Sequence, residues 1–278
     1  SNTAVGESAL ANNTTADNNT SVGFQALTAN TTGPENVAVG SGALDSNTTG
    51  ANNIAVGMAT MQANTTGSNN AALGSGALYN NIIGHSNVAV GFNALVSDTK
   101  GNKNTAIGQG ALATQNFTSD TDSYNTAVGA QAGVSVTTGN ENTLVGSSAG
   151  SAVTTGADNT FVGSEAGDGT DDGAENVAVG KSALSANCGN GNAAVGMASL
   201  LACTGAFNTA MGVSAGSAVT SGNNNTIIGK DAGLSGSPGG ALTTGSNDIC
   251  LGDENIDTAS IQVDWTVASD QRDKTDFT

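Results

Sequence analysis

Along this chain a short apolar unit returns at a nearly constant interval: Asn, a variable residue, a small residue, an aliphatic residue and Gly, as in Asn36-Val37-Ala38-Val39-Gly40. The glycines that close it are Gly6, Gly23, Gly40, Gly57, Gly74, Gly91, Gly108, Gly129, Gly146, Gly163, Gly180, Gly196, Gly212, Gly229 and Gly252. Of the fourteen intervals between them, ten are 17 residues, two are 16, one is 21 and one is 23. The residue before the Gly is Val, Ile, Leu or Met in all fifteen copies, and the residue four before it is Asn in fourteen, with Asp248 the exception. A fixed period of this kind is the mark of stacked repeats, in which each unit buries its apolar face against the next.

A 17-residue unit is too short for two helices and a turn, and Asn, Thr and Gly at fixed places disfavour any helix. Two short strands joined by two tight corners fit instead. In Asn36-Val37-Ala38-Val39-Gly40 the alternation has period 2, so Val37 and Val39 share one face and Ala38 takes the other. Gly40 supplies a corner, Ala43-Leu44 returns an apolar side chain to the interior, and Asn47-Thr48-Thr49-Gly50 makes the other corner from turn-forming residues. Like residues then stack about 4.8 Å apart, Asn over Asn as an amide ladder and Val over Val as a dry column. The expectation is an all-β parallel β-solenoid of about fifteen coils over residues 1–252, a rod roughly 70 Å long at that spacing. Ala4, Ala38, Ala55, Ala72, Ala89, Ala106, Ala127, Ala178, Ala194 and Ala210 are expected to form a flat outward stripe. Such a stripe calls for lateral association of identical rods, here as a homotrimer.

Composition narrows the function. Of 278 residues only 3% are aromatic, against 40 Gly and 2 Pro, and the apolar fraction is mostly small. A thick enzyme core is therefore not expected. Six Lys plus Arg against 23 Asp plus Glu give a net charge of −17, which repels nucleic acid and anionic membrane surfaces. No stretch approaches the roughly 20 apolar residues of a membrane helix.

The recurring Asn-x-Ala-Val-Gly core of residues 1–252 resembles the head repeats of trimeric autotransporter adhesins. That resemblance implies a left-handed parallel β-roll bundled in threes. Near the C-terminus, Trp265-Thr266-Val267-Ala268-Ser269-Asp270-Gln271-Arg272-Asp273-Lys274-Thr275-Asp276-Phe277 resembles the opening of the endosialidase-type intramolecular chaperone domain of phage tail fibres, with Ser269, Asp270, Arg272, Lys274 and Asp276 matching its pattern. The resemblance implies a clamp that holds three chains together during folding and then cuts itself off before Asp270. Ser269 would be the nucleophile and Lys274 its general base. Residues 269–278 are read as the start of that domain, and residues 253–268 as a cap in which Ile261 and Trp265 close the apolar column.

These readings combine into a structural protein: the shaft of a phage tail fibre, extracellular on the virion. Its expected partners are its own copies, other tail proteins and a bacterial surface receptor such as a glycan. The alternative is the head of a bacterial trimeric adhesin. Apart from self-cleavage no enzyme activity is expected, and no cofactor, metal, nucleic acid or membrane insertion. The four extra residues between Gly108 and Gly129 are expected to emerge as a loop, with Phe117 and Tyr124 as its contact residues. His85 reads as a solvated corner residue. Asp168, Asp171, Asp172 and Glu175, like Asp120 and Asp122, read as solvated acidic corners rather than a Ca²⁺ site, having no loop signature. Cys188 and Cys203 read as apolar filler, with a disulfide geometrically open to them. The Thr-Thr corners suggest a hydroxyl array that Ile82-Ile83, Thr99-Lys100 and Asp171-Asp172 interrupt. Ser237-Pro238-Gly239-Gly240 reads as a bend.

Overall fold

The computed structural model describes residues 1–237 and 239–258. Among the described residues there is no helix, and a single 15-stranded parallel sheet runs in sequence order, one strand per coil. The chain is thus a parallel β-solenoid. Each strand of this sheet is the three-residue segment before the corner Gly, such as Val37–Val39. It pairs in register one coil on, with Val37 beside Ile54, Ala38 beside Ala55 and Val39 beside Val56. The register survives a 16-residue coil, where Val179 pairs with Val195. It survives both long intervals too, pairing Ile107 with Val128 and Ile228 with Leu251. Extra residues loop out and leave the ladder undisturbed. In the first insertion they add a two-stranded parallel sheet, Gly101–Asn102 with Thr121–Asp122.

The return side of the coil is not the second strand expected from the sequence. It is a run of turns in which residues with left-handed backbone alternate with ordinary ones, such as Gln25 (φ 56°) and Leu27 (φ 51°), and Glu35 (φ 60°) follows at the next corner. This alternation still serves a ladder. Gln25 N–H donates back to Glu7 O at 2.9 Å, and Leu27 N–H donates forward to Ala43 O at 3.0 Å. An L-residue in this region costs about 1 kcal/mol. Inter-coil hydrogen bonds and the complete burial of Leu27 offset that cost. At the first corner only glycine fits: Gly40 has φ 138°, and a Cβ there would lie 2.3 Å from Gly57 O of the next coil.

The Ala stripe points inward, the reverse of the expectation. Ala38, Ala55, Ala89, Ala106, Ala127 and Ala178 have no exposed surface, and neither have Leu27, Leu44, Leu78 and Leu95 on the return side. The coil is thin, and in most coils Leu from the return side fills the interior over Ala of the strand, as Leu44 does over Ala38. Where the strand centre carries Leu144, Phe161 or Ile227, the position six residues later is Gly150, Gly167 or Gly233. A Cβ on Gly167 would sit 2.3 Å from the Phe161 ring, so the two positions share one volume.

Two buried polar ladders flank this core. In the first, Asn36 Oδ1 accepts the Asn53 N–H at 2.9 Å and Asn36 Nδ2 donates to Gly50 O at 2.8 Å. In the second, Asn47 Nδ2 donates to Asn30 Oδ1 at 2.8 Å and Asn64 Nδ2 to Asn47 Oδ1 at 2.7 Å. Further along, the buried positions of this second column become Val136, Val153, Thr170, Cys203 and Val219.

Candidate functional site

With Ala inward, the flanking positions of every strand must point outward, because neighbours in a strand face opposite ways. The position before the corner Gly therefore builds a continuous outer column of Val, Ile, Leu and Met from Val5 to Leu251. Val5, Leu73, Met211 and Leu251 are each half exposed or more, at 59%, 52%, 53% and 50%. Just past the corner, Phe24, Met58 and Phe92 add exposed side chains on alternate coils, with Ser41 and Ser75 between. No charged residue occurs in any strand of the 15-stranded sheet, although the chain carries 29 acidic and basic residues in all. The apolar face is thus long, flat, uncharged and open.

The insertion does not bring its two aromatic residues to one surface. Phe117 is only 7% exposed: it packs beneath the loop as filler, which corrects its expected role as a contact residue. Tyr124 does face solvent, with φ 51°. The Lys103 ammonium lies 4.9 Å from its ring centroid, bonds its hydroxyl at 2.9 Å and pairs with Asp122 at 2.5 Å. Hydrogen bonding to Asp122, then to Tyr124, raises Lys103 to about 12, and Lys103 in turn holds the Asp122 carboxyl below its usual range. Asn102 Nδ2 donates to Asp120 Oδ1 at 2.6 Å. One face of Tyr124 is therefore already covered, and the polar groups of the loop are engaged with one another.

His85 stays at its corner, its ring Nδ1 3.5 Å from Ser86 Oγ. Among the described residues no group of three His, Cys, Asp or Glu side chains could hold a metal ion. Cys188 and Cys203 are buried free thiols. Burial pushes Cys188 up to about 11 and raises Cys203 as well. In each Thr corner the first hydroxyl is engaged, Thr31 Oγ1 and Thr48 Oγ1 donating to the carbonyls of Thr48 and Thr65, while the second, as at Thr32 and Thr49, is exposed. A cavity of about 190 Å³ lies at the last coil, lined by residues that include Leu242, Asp248, Ile249 and Cys250. It has no convergent set of catalytic groups. Ser269, Lys274, Ile261 and Trp265 lie outside the described residues. No protein-family model, curated protein or solved structure matches this chain.

Proposed function

We propose that the protein is a structural shaft whose sheet face packs against two further copies in a parallel homotrimer, and that this rod serves as a tail-fibre segment contacting a bacterial surface. The uncharged outer column carries the proposal. Fifteen strands at about 4.8 Å and a strand width of about 10 Å give a face of roughly 700 Å², which in a trimer is divided between two neighbours at about 350 Å² each, so that all three contacts together reach the ~800 Å² per partner scale of a stable interface. Three such faces turned to one axis leave the charged and polar corners outside. The solenoid then supplies length and repetition, so that attachment rests on many weak contacts along the trimer rather than on a pocket.

The phage assignment rests on the likeness of Ser269 to Lys274 to the self-cleaving chaperone domain. A clamp suits this fold, because a uniform parallel solenoid has weakly specified register and three chains must start together. The Asn-x-Ala-Val-Gly core favours a second reading, the head of a bacterial trimeric adhesin, with the same trimeric packing.

Light scattering tests the assembly. The chain is expected at three times 26.8 kDa, and Val128→Lys, a charge in the centre of the stripe, at 26.8 kDa with unchanged circular dichroism. A wild-type mass of one chain would overturn the trimer. Cleavage is tested by mass spectrometry of the protein isolated from its native source: a new terminus at Asp270 supports it, and an intact product in which Ser269→Ala changes nothing removes it.

A further inference from the structure

The second polar column changes chemistry at one coil. From Asn30 to Asn81 every Nδ2 donates to the Oδ1 of the coil before, the last such bond being Asn81 to Asn64 at 2.8 Å. The next member is Asp98, which has no exposed surface. Its Oδ2 takes the place of the amide oxygen. It accepts from Gln115 Nε2 at 2.8 Å and lies against the Cβ position of Gly101 as Asn47 Oδ1 lies against that of Gly50. Asp98 thus occupies the column position from which each preceding residue gives an amide hydrogen to the oxygen below, and its Oδ1 accepts the Gly101 N–H where those amides donate to a glycine carbonyl. A carboxylate has no hydrogen to give. Asn81 Oδ1, the atom that would receive it, is buried without a hydrogen-bond partner, whereas the same atom of Asn30, Asn47 and Asn64 has one.

We propose that Asp98 is held as a neutral carboxylic acid whose Oδ1 hydroxyl donates to Asn81 Oδ1, giving the rod a single protonation-dependent joint between these two coils. The protonated Oδ1 still accepts the Gly101 N–H at 2.9 Å, so every polar atom at the joint is then paired. Ionisation would set carboxylate and amide oxygens against each other in a buried site, where unpaired charge is most costly.

The surroundings agree. Burial raises the Asp98 carboxyl above its ordinary range, outweighing the hydrogen bonds from Gln115 and from the backbone at Gly101, Lys100 and Phe117. The groups that face it are Asn81 below, Gln115 above and these amides. The charged side chains of the same corner are engaged elsewhere. Lys100 Nζ donates to Thr118 O, Lys103 pairs with Asp122, Asp120 accepts from Asn102, and the His85 ring lies beside Ser86.

Because the folded value lies above the unfolded one, the joint is at full strength below about 3.8, the ordinary carboxylate value. It weakens as pH rises through the folded value. Two measurements on the whole chain test this: the ¹³C titration of the Asp98 carboxyl, and exchange of the Ile82 amide, which bonds Thr99 O across the joint, in wild type relative to Asp98→Asn. Asp98 is expected to titrate above 3.8, the ordinary carboxylate value. The exchange ratio is expected near one in acid and to rise about tenfold per pH unit between the unfolded and folded values. Titration at or below that ordinary value, or a ratio that does not change with pH, would overturn the proposal.

Discussion

Replacing Asn53 by Ala removes one rung of the first ladder. In the native coil Asn53 Oδ1 accepts both the Asn70 N–H at 3.0 Å and Asn70 Nδ2 at 3.2 Å, and Asn53 Nδ2 donates to Gly67 O at 2.9 Å. Two of these losses are cushioned. Asn70 Nδ2 keeps Gly84 O at 2.9 Å, and Gly67 O keeps Asn64 Nδ2 at 3.0 Å. The Asn70 backbone N–H keeps nothing, and a buried donor left unpaired costs about 1–3 kcal/mol. With the small void added, the loss should be about 3 kcal/mol. It should be local as well, since each coil touches only its neighbours. Urea unfolding gives the total, and hydrogen exchange gives the place: protection should fall first at Asn70 and the amides of the adjoining coils, while coils beyond Gly129 change little. Thr66→Ala, at an exposed corner, is the control and should stay within about 0.5 kcal/mol. If Asn53→Ala were as mild as the control, the ladder would be ornamental and the account of how coils hold one another would be wrong.

Two further outcomes follow from the core. Phe161→Ala should cost about 3–5 kcal/mol by cavity formation, and Gly167→Leu should destabilise by collision with the Phe161 ring. The double variant recreates the Ala–Leu arrangement of Ala38 and Leu44, so a thermal-melt cycle should show it more stable than either single change. Cys188 and Cys203, protonated and buried at pH 8, should resist a thiol reagent until the protein is unfolded, when both react; rapid labelling of either in the native protein would contradict the placement.

Much of this fold was legible in the sequence because a strict period leaves few alternatives. Val39 and Val56, seventeen residues apart, had to lie side by side once the repeat was taken as a stack, and the Asn ladder followed from the same step. The direction of the strand faces did not follow. Period-2 alternation separates Ala38 from Val37 and Val39 without telling which is inside, and in an ordinary strand the larger residues go inward. One signal lies within the repeat itself: where Ala gives way to Leu144, Phe161 or Ile227, Gly stands six residues on, as a shared interior requires, although Gly133 and Gly216 also follow the Ala-centred strands at Ala127 and Ala210. The return side departs from the two-strand expectation for a different reason. Gln25 and Leu27 have no intrinsic preference for left-handed backbone, so only the inter-coil hydrogen bonds select it. Phe117 was placed outside because insertions usually emerge from solenoids, yet a large apolar side chain in a loop still finds burial where it can. Asp98 was not singled out, although its position in the Asn column could be read from the period.

The stacking of coils is tested most directly by distance measurements between spin labels on exposed corners, away from the apolar face. Cysteines replacing Thr49 and Thr66 sit one coil apart and should lie about 5 Å apart at the backbone, while those replacing Thr49 and Thr155 sit six coils apart and should lie about 29 Å apart. Separation growing in proportion to coil number is the predicted result. Similar distances for both pairs would contradict the solenoid and everything built on its outer face.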